Sequence, residues 1–183
     1  MDSIKEISLH LCDNEWEFEY TDHERNIARA IVFDDEGYFY FVRAIRDDDF
    51  GKAILIETSG GGVEAGEELR EAIVRELSEE LGARVSVICR LGVVRDYYNL
   101  IHRCNINNYF LCKVDSFAEK RLTKDEIESF HLSTLRLTYR DALLEYERCE
   151  VSPLGRLIAR RELPILKHAK ELLDQGISVT KCN

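Results

Sequence analysis

Three glutamates near the end of one stretch of this sequence have the type and spacing needed to bind a divalent cation. Glu76, Glu79 and Glu80 are spaced i, i+3 and i+4, which on a helix gathers their carboxylates near its C-terminal end. The helix dipole disfavours each anion there by roughly 0.3 to 1 kcal/mol, so a cation should compensate. Carboxylate oxygens suit Mg²⁺, which takes its remaining ligands from water and substrate phosphates. The pattern predicts a magnesium and phosphate site, with a merely solvated acidic helix as the alternative.

The helix that positions these acids is predicted from Glu67 to Leu81. Its aliphatic residues recur every four positions and form one apolar stripe, and two of the three glutamates lie at the margin of that stripe. Three glycines precede the helix, which lets the backbone bend sharply and approach other groups closely. Gly82 follows the last aliphatic residue as a C-terminal stop. The stripe consists of Leu69, Ile73, Leu77 and Leu81.

Residues 61–83 resemble the Nudix box, G-x5-E-x7-R-E-U-x-E-E-x-G-U, where U is a bulky aliphatic residue. Ala83 occupies the last aliphatic position, which weakens a packing contact and leaves the chemistry intact. Flanking strand patterns extend a looser resemblance over roughly residues 25–147. The fixed positions that match are Gly61, Glu67, Arg75, Glu76, Leu77, Glu79, Glu80 and Gly82.

The resemblance implies an α/β protein, a Nudix-type α/β/α sandwich around a mixed β-sheet, with an extra C-terminal helical segment. The activity it implies is magnesium-dependent hydrolysis of a nucleoside diphosphate linked to another moiety, with Mn²⁺ as a substitute ion. Glu76 and Glu80 would be the principal metal ligands, joined by Glu79 and by the carbonyl of Gly61. Arg75 and Glu67 would hold the helix and its ligands in place.

Other acids enter the predicted site through the resemblance. Glu57 lies four residues before Gly61, where many family members have a glutamate, and is a second-tier candidate for the metal or a ribose. Many Nudix enzymes have a glutamate in the loop before a late strand that serves as an extra ligand or as the general base. Glu126 or Glu128 would be that residue here, in the charged loop 119–128.

Residues that could contact substrate are less well defined. The strand arginines, Arg46 among them, face either the substrate or the solvent. Farther along, four side chains have the chemistry to stack on a base or contact phosphate, although the tyrosines could equally pack the sheet edge. These four are Tyr97, Tyr98, His102 and Arg103.

Several functions stay open at this point. ADP-ribose or a nucleotide sugar is slightly preferred as substrate, because the charged flanking loops and the C-terminal helix suggest a larger pocket or a homodimer. The alternatives are a nucleoside triphosphate (a ribo- or deoxyribonucleotide) or a dinucleoside polyphosphate. A non-catalytic nucleotide sensor is a hypothesis from another class, although such modules usually lose acids that this box retains.

Composition limits the partners and the compartment. A net charge of -10 argues against binding a nucleic acid polymer, which needs a basic surface. No apolar run reaches the ~20 residues of a membrane span, and no signal peptide is evident, so we expect a cytoplasmic protein without membrane contact. The six cysteines form no C-x-x-C pair and are expected to be reduced. They are Cys12, Cys89, Cys104, Cys112, Cys149 and Cys182.

A single domain of residues 1–183 is expected, with its core at about residues 25–147. Residues 1–24 are predicted as a strand extension containing 16–20, and residues 152–176 as a helical tail interrupted at Pro164 into a helix pair. Residues 47–51 are interpreted as an acidic loop and 95–103 as a connector. The remaining predictions are strands at 27–33, 38–45, 53–56, 84–94 with a bulge near Gly92, 107–114 and 131–137, and a helix at 138–148.

Overall fold

A computed structural model describes residues 4–122, 124–128 and 130–177. Among them are eight strands and four α-helices, with a short 3-10 helix at Asn99–Ile101. The strands are β1 (Ile7–Leu11), β2 (His23–Phe33), β3 (Phe39–Asp48), β4 (Gly51–Glu57), β5 (Gly60–Gly62), β6 (Ala83–Tyr98), β7 (Arg103–Phe117) and β8 (Ser133–Leu137). The helices are α1 (Leu69–Glu80), α2 (Lys124–Glu128), α3 (Tyr139–Cys149) and α4 (Pro153–Asp174).

The strands form one mixed sheet. Its main path runs β1-β6-β7-β2-β3-β4, while β5 pairs with β2 and β8 pairs with β3. The β1–β6 and β2–β7 pairs are parallel, and the other pairs are antiparallel. Because β5 pairs with residues 27–29, in the middle of β2, the glycine segment that precedes α1 is fixed against the centre of that strand.

Helices cover both faces of this sheet. On one face, Ile73 and Leu77 of α1 are fully buried against small side chains of β2 such as Ala28. On the other face, α3 and α4 bury Tyr146 and Leu166 against the opposite side of the same strands. The predicted α/β/α sandwich with an extra C-terminal helix is therefore confirmed. None of the helices in the described ranges is long and apolar enough to cross a membrane.

Most predicted elements are found near their expected positions. The hairpin is formed by β2 and β3, and the acidic stretch 47–51 ends β3 and turns into β4. The predicted bulge is present as a register shift between Arg90 and Gly92. The charged loop before β8 contains the short helix α2. Five cysteines are free thiols, and Cys182 lies outside the described residues.

The predicted strand at 16–20 is wrong. The N-terminal strand is β1, and residues 16–20 form no regular element. Asp13 explains the break, because its carboxylate accepts from the backbone N–H groups of Glu15 at 2.8 Å and Trp16 at 3.2 Å and so turns the chain. The side chains of Phe18 and Tyr20 remain 60% and 54% exposed.

The connector predicted at 95–103 is also wrong over most of its length. Strand β6 continues to Tyr98, because its pairing with β7 extends to the Tyr98–Arg103 pair. Only three residues form the turn, as a 3-10 helix that ends at His102 in a left-handed conformation with φ 52°. Burial alternates along this segment as a strand requires, with Asp96 and Tyr98 buried and Arg95 and Tyr97 partly exposed.

The predicted interruption at Pro164 is wrong as well, since α4 is one helix of 22 residues. Proline inside a helix removes one hydrogen bond and costs roughly 3 kcal/mol. The apolar face of α4 offsets this cost, because side chains before and after the proline, such as Ile158 and Ile165, are buried in the core. Pro164 has no N–H to donate to the backbone carbonyl of Arg160. Because Arg160 is exposed, water can bind that carbonyl instead.

Replacement of Gly92 by alanine should weaken the attachment of β1. Gly92 has φ +147°, and a Cβ there would lie 2.0 Å from the carbonyl oxygen of Ile7. We expect Gly92→Ala to lower the free energy of unfolding by about 3 kcal/mol in urea titrations. Gly37→Ala is the control, since Gly37 also has positive φ, +83°, but open space around it. Equal losses in both variants would contradict the proposed clash with β1.

Candidate active site

Helix α1 is placed by its apolar stripe and by its N-terminal cap. Its N-cap Glu68 donates its backbone N–H to the carboxylate of Glu71 at 3.1 Å, which satisfies one of the free donors at the helix start. Burial of Ile73 and Leu77 fixes the rotation of the helix against the sheet. That rotation turns the acidic margin of the stripe toward β5 and the turn before it, where Glu80 is bound.

Glu80 is the most deeply buried of the three box glutamates, with 9% of its surface exposed. Its Oε2 accepts from Ser59 Oγ at 2.5 Å and from the backbone N–H of Gly60 at 2.9 Å. Burial raises the pKa of Glu80 most strongly, the nearby charge of Glu76 also raises it, and the two hydrogen bonds lower it. The net result is a pKa of about 7. A carboxyl group with a pKa near neutral therefore lies at the C-terminal end of α1.

Arg75 holds the acidic side chains around it in a fixed arrangement. Its Nε and Nη2 bond the two oxygens of Glu67 at 2.8 and 2.9 Å, a bidentate pair. Its Nη1 bonds Glu76 at 2.7 Å and Glu79 at 3.3 Å, and its Nη2 also reaches the carbonyl of Gly62 at 3.1 Å. The hydrogen bond from Arg75 lowers the pKa of Glu67 to about 2. The guanidinium of Arg75 thus links Glu67, before the helix, to Glu76 and Glu79 near its C-terminal end.

Gly61 lies directly against Glu76. A Cβ at Gly61 would lie 2.4 Å from Glu76 Oε1 and 2.6 Å from Oε2. Any side chain would displace the carboxylate, so glycine is required for this approach. The backbone of Gly61 is consequently adjacent to a candidate metal ligand.

A pocket of about 170 Å³ opens beside this arrangement. Glu80 and Glu57 border it together with Arg29 and Arg46, so both charge signs face one small space. The guanidinium of Arg46 lies 5.0 Å from the centre of the Phe130 ring. Glu57 and Arg46, two of the residues predicted for the site, therefore border the same pocket as Glu80 of the box.

A larger cavity of about 560 Å³ lies between β3, β4 and α3. Arg43 and Arg148 line it, and it shares Arg46 with the smaller pocket. No residue of the box borders it. The smaller pocket is the one of the two that a box carboxylate, Glu80, borders.

The structure does not bring the two tyrosines to the pocket. Tyr97 stacks on His10 with ring centres 5.4 Å apart, near the edge strand β1. Tyr98 is buried in the core, and its hydroxyl accepts from Arg161 Nη1 at 2.7 Å. Both tyrosines therefore pack against other side chains of the sheet and the core, as the alternative interpretation of the sequence predicted.

The remaining candidates also lie apart from the box. His102 stacks on Tyr20 with ring centres 4.1 Å apart, and the guanidinium of Arg103 lies 5.7 Å from the ring centre of Tyr98. Glu128 is exposed on α2, 3.8 Å from Lys124, and the side chain of Glu126 lies outside the described part of the chain. The general base assignment to either glutamate stays a prediction.

The three box carboxylates suit a divalent ion by their chemistry, although protein groups bind them here. Among the described side chains, no group of three or more histidines, cysteines, aspartates or glutamates is arranged to hold a metal ion. Glu76 and Glu79 are engaged by Arg75, and Glu80 by Ser59. Burial, and to a lesser extent the charge of Glu76, raises the pKa of Glu80, and a cation bound there would favour the ionised carboxylate.

Sequence reasoning missed a buried charged pair on α4. Arg161 and Glu162 are 1% and 0% exposed, and both lie in the core behind the pocket. A signal for them exists in the sequence, because they fall between Ile158 and Ile165 on the apolar stripe of α4. Charges at stripe positions indicate a buried polar cluster, and the expected break at Pro164 concealed that stripe.

Comparisons with known proteins agree with this fold. The family model for the NUDIX domain matches residues 23–147, more than half of the chain. The chain therefore belongs to the Nudix family. It is an enzyme, a hydrolase that acts on phosphoanhydride bonds. Comparison with curated proteins finds no sequence match.

Several solved structures share the fold. A NUDIX hydrolase from Nitrosomonas europaea is 17% identical with a TM-score of 0.61, over 85% of this chain and 91% of that one. The MutT protein from Methanosarcina mazei Go1 is 16% identical with a TM-score of 0.56, over 85% and 97%. An ADP compounds hydrolase is 20% identical with a TM-score of 0.54, over 84% and 76%. Identities this low establish the fold and leave the substrate open.

The raised pKa of Glu80 predicts a pH-dependent stability in the absence of metal. The unfolded chain ionises this group near 4.5 and the folded chain near 7, so between these values the folded state binds more protons. The stability contribution of neutral Glu80 is therefore present below about pH 4.5 and is lost as pH rises to 7. In EDTA at pH 8, Glu80→Gln should be about 1 to 3 kcal/mol more stable than the wild type in urea unfolding.

Val74→Ala is the matched control for that measurement, because Val74 is an exposed residue of the same helix and neither valine nor alanine ionises. Its difference from the wild type should not change with pH. At about pH 3 the stabilising effect of Glu80→Gln should vanish, since the carboxyl group is then almost entirely neutral in both states. A constant difference across this range would show that ionisation of Glu80 has no stability cost.

Proposed function

We propose that this chain is a magnesium-dependent pyrophosphohydrolase that cleaves a nucleoside diphosphate linked to another moiety. The observation that carries the proposal is the buried Glu80, which borders a pocket shared with Arg29 and Arg46 and lies near Glu76. Anionic ligands for a cation and cationic ligands for phosphate thus face the same space. A diphosphate needs both, because its oxygens repel a nucleophile until they are neutralised.

Glu76, Glu79 and Glu80 would hold the ion, with the carbonyl of Gly61 as a further ligand. The ion supplies charge neutralisation of the diphosphate and a lowered pKa for bound water. Arg75 orients Glu76 and Glu79 through its hydrogen bonds and so limits the positions that their carboxylates adopt.

Other residues of the chain would bind the diphosphate and accept a proton. Arg46 lies at the pocket with a planar donor group suited to phosphate oxygens. The proton of the attacking water needs a carboxylate that does not bind the ion. Glu57 borders the pocket, and Glu126 and Glu128 remain predicted candidates for the same role.

The size of the pocket does not fix the substrate. A volume of about 170 Å³ is below the ~300 to 1,000 Å³ of a site that encloses a whole ligand, so we expect it to take the phosphates alone. The larger pocket expected from the sequence is therefore not the one that Glu80 borders, and the preference for ADP-ribose or a nucleotide sugar stays a prediction from the sequence. A nucleoside triphosphate and a dinucleoside polyphosphate are the alternatives. The homodimer and the cytoplasmic location stay predictions.

Loss of the acid charge should remove hydrolysis without unfolding the protein. We expect Glu76→Gln and Glu80→Gln to lower kcat by roughly 10² to 10³-fold at saturating Mg²⁺, as removal of one charge-stabilising group does in a closed site. Phosphate release measured under steady-state conditions tests this. Glu71→Gln should retain the wild-type rate, because its side chain is exposed at the far end of α1. Wild-type turnover by Glu80→Gln would rule out its role as a ligand.

A substrate panel separates the proposed enzyme from a nucleotide sensor. The carboxylates that are engaged by Arg75 and Ser59 give the sensor one supporting observation. Purified protein with Mg²⁺ should release product from ADP-ribose or a nucleotide sugar faster than from nucleoside triphosphates, dinucleoside polyphosphates or coenzyme A. Thermal stabilisation by these nucleotides without product release from any of them would favour the sensor.

A further inference from the structure

Helix α4 places a carboxylate in the core directly behind the pocket. Glu162 is fully buried, and it lies outside the segment that the family model matches. A buried carboxylate requires hydrogen-bond partners or an opposite charge, since neither water nor apolar side chains solvate it. The identity of these partners shows what Glu162 does for the rest of the molecule.

Glu162 binds the segment that leads into the box. Its Oε2 accepts from the backbone N–H of Thr58 at 2.8 Å, and its Oε1 accepts from Thr58 Oγ1 at 2.7 Å. Tyr146 donates its hydroxyl to Oε2 at 2.6 Å, and Arg161 donates Nη2 to Oε1 at 2.8 Å. Both donors of Thr58 are therefore held by one side chain from a helix 104 residues farther along the chain.

The carbonyl of Thr58 is fixed from the other side. Arg29 donates Nη1 to this oxygen at 3.0 Å, and the same nitrogen lies 3.8 Å from Oε1 of Glu162. The charges of Arg161 and Arg29 lower the pKa of Glu162, although burial alone would raise it. Glu162 is therefore ionised and keeps both oxygens as acceptors for Thr58.

Thr58 is followed at once by the two residues that bind Glu80. Ser59 Oγ and the N–H of Gly60 donate to the same oxygen of Glu80. Residues 58–60 thus form a bridge between two carboxylates, Glu162 on α4 and Glu80 on α1. A displacement of Thr58 would move the donors that orient Glu80.

We infer that Glu162 is a positioning residue of the active site, which acts through Thr58 to hold Ser59 and Gly60 against Glu80. This inference rests on the proposed function and extends it to a residue outside the box. A helix anchor alone would need only side-chain partners in the core. The two bonds to Thr58 instead fix a short backbone segment that binds Glu80, a candidate metal ligand.

The test compares Glu162→Gln with a control that destabilises the same helix. The amide of glutamine offers one acceptor oxygen in place of two, so one donor of Thr58 loses its partner. Leu166→Ala, one turn farther along α4, removes buried apolar volume and leaves all contacts of Glu162 in place. Thr58→Val is a second test variant, which removes one of the two bonds and leaves α4 and its charges unchanged.

Three readouts are measured at a temperature where all variants are folded. Amide hydrogen exchange of residues 58–60 in EDTA reports the position of the segment without metal or substrate. Titration calorimetry with Mn²⁺ reports ion affinity, and steady-state kinetics separates kcat from KM. We expect Glu162→Gln to speed exchange, weaken Mn²⁺ binding about tenfold and lower kcat about tenfold with KM nearly unchanged. Thr58→Val should show smaller changes in the same direction, and Leu166→Ala should change only the melting temperature.

The outcomes separate this inference from the proposed function. Unchanged exchange at residues 58–60 in both Glu162→Gln and Thr58→Val would overturn the positioning role, even in an active enzyme. Equal changes in Leu166→Ala would also overturn it, because loss of stability would then explain them. A wild-type protein without hydrolysis, but with exchange and Mn²⁺ affinity that depend on Glu162, would reject the enzyme and retain the positioning role. If Glu162→Gln does not fold, Thr58→Val decides alone.

Discussion

The close approach of two carboxylates at the end of one helix is the constraint on which the rest of the site depends. Glu80 is buried beside Glu76, and both lie where the helix dipole disfavours negative charge. The molecule tolerates this crowding because Arg75 binds one side of the cluster and the turn before β5 binds the other. The apolar stripe of α1 enforces the arrangement, since Ile73 and Leu77 cannot leave the core to let the acids move apart. Stability and chemistry therefore compete at one place in the fold.

The sequence was sufficient to predict the part of the site that is local in the chain. The spacing of the acids, the flanking glycines and the stripe all lie within residues 60–83, and helix geometry converts that spacing directly into position. The contact of Arg75 with Glu67 belongs to the same local set. The sandwich around a mixed sheet followed from the family resemblance and not from any pattern in the strands alone.

The parts that sequence could not supply depend on contacts between distant residues. Tyr98 has a side chain that suits a nucleotide base, yet β6 continues far enough to turn it into the core beneath Arg161. The segment 16–20 alternates like a strand, but a local bond network at Asp13 turns the chain first. For Tyr98 the overriding partner is distant in the chain, whereas Asp13 turns the chain locally while its other oxygen accepts from the backbone N–H of Asn99 at 2.8 Å.

The order of the chain gives the buried Glu162 a biological consequence. The box and most of the sheet are synthesised before α4, so a nascent chain has its box glutamates long before it has the helix that completes the turn beside them. Arg29 and Thr58 then face water in place of their final partner. The turn beside Glu80 therefore acquires its final partner only after α4 has been synthesised and has docked on the sheet.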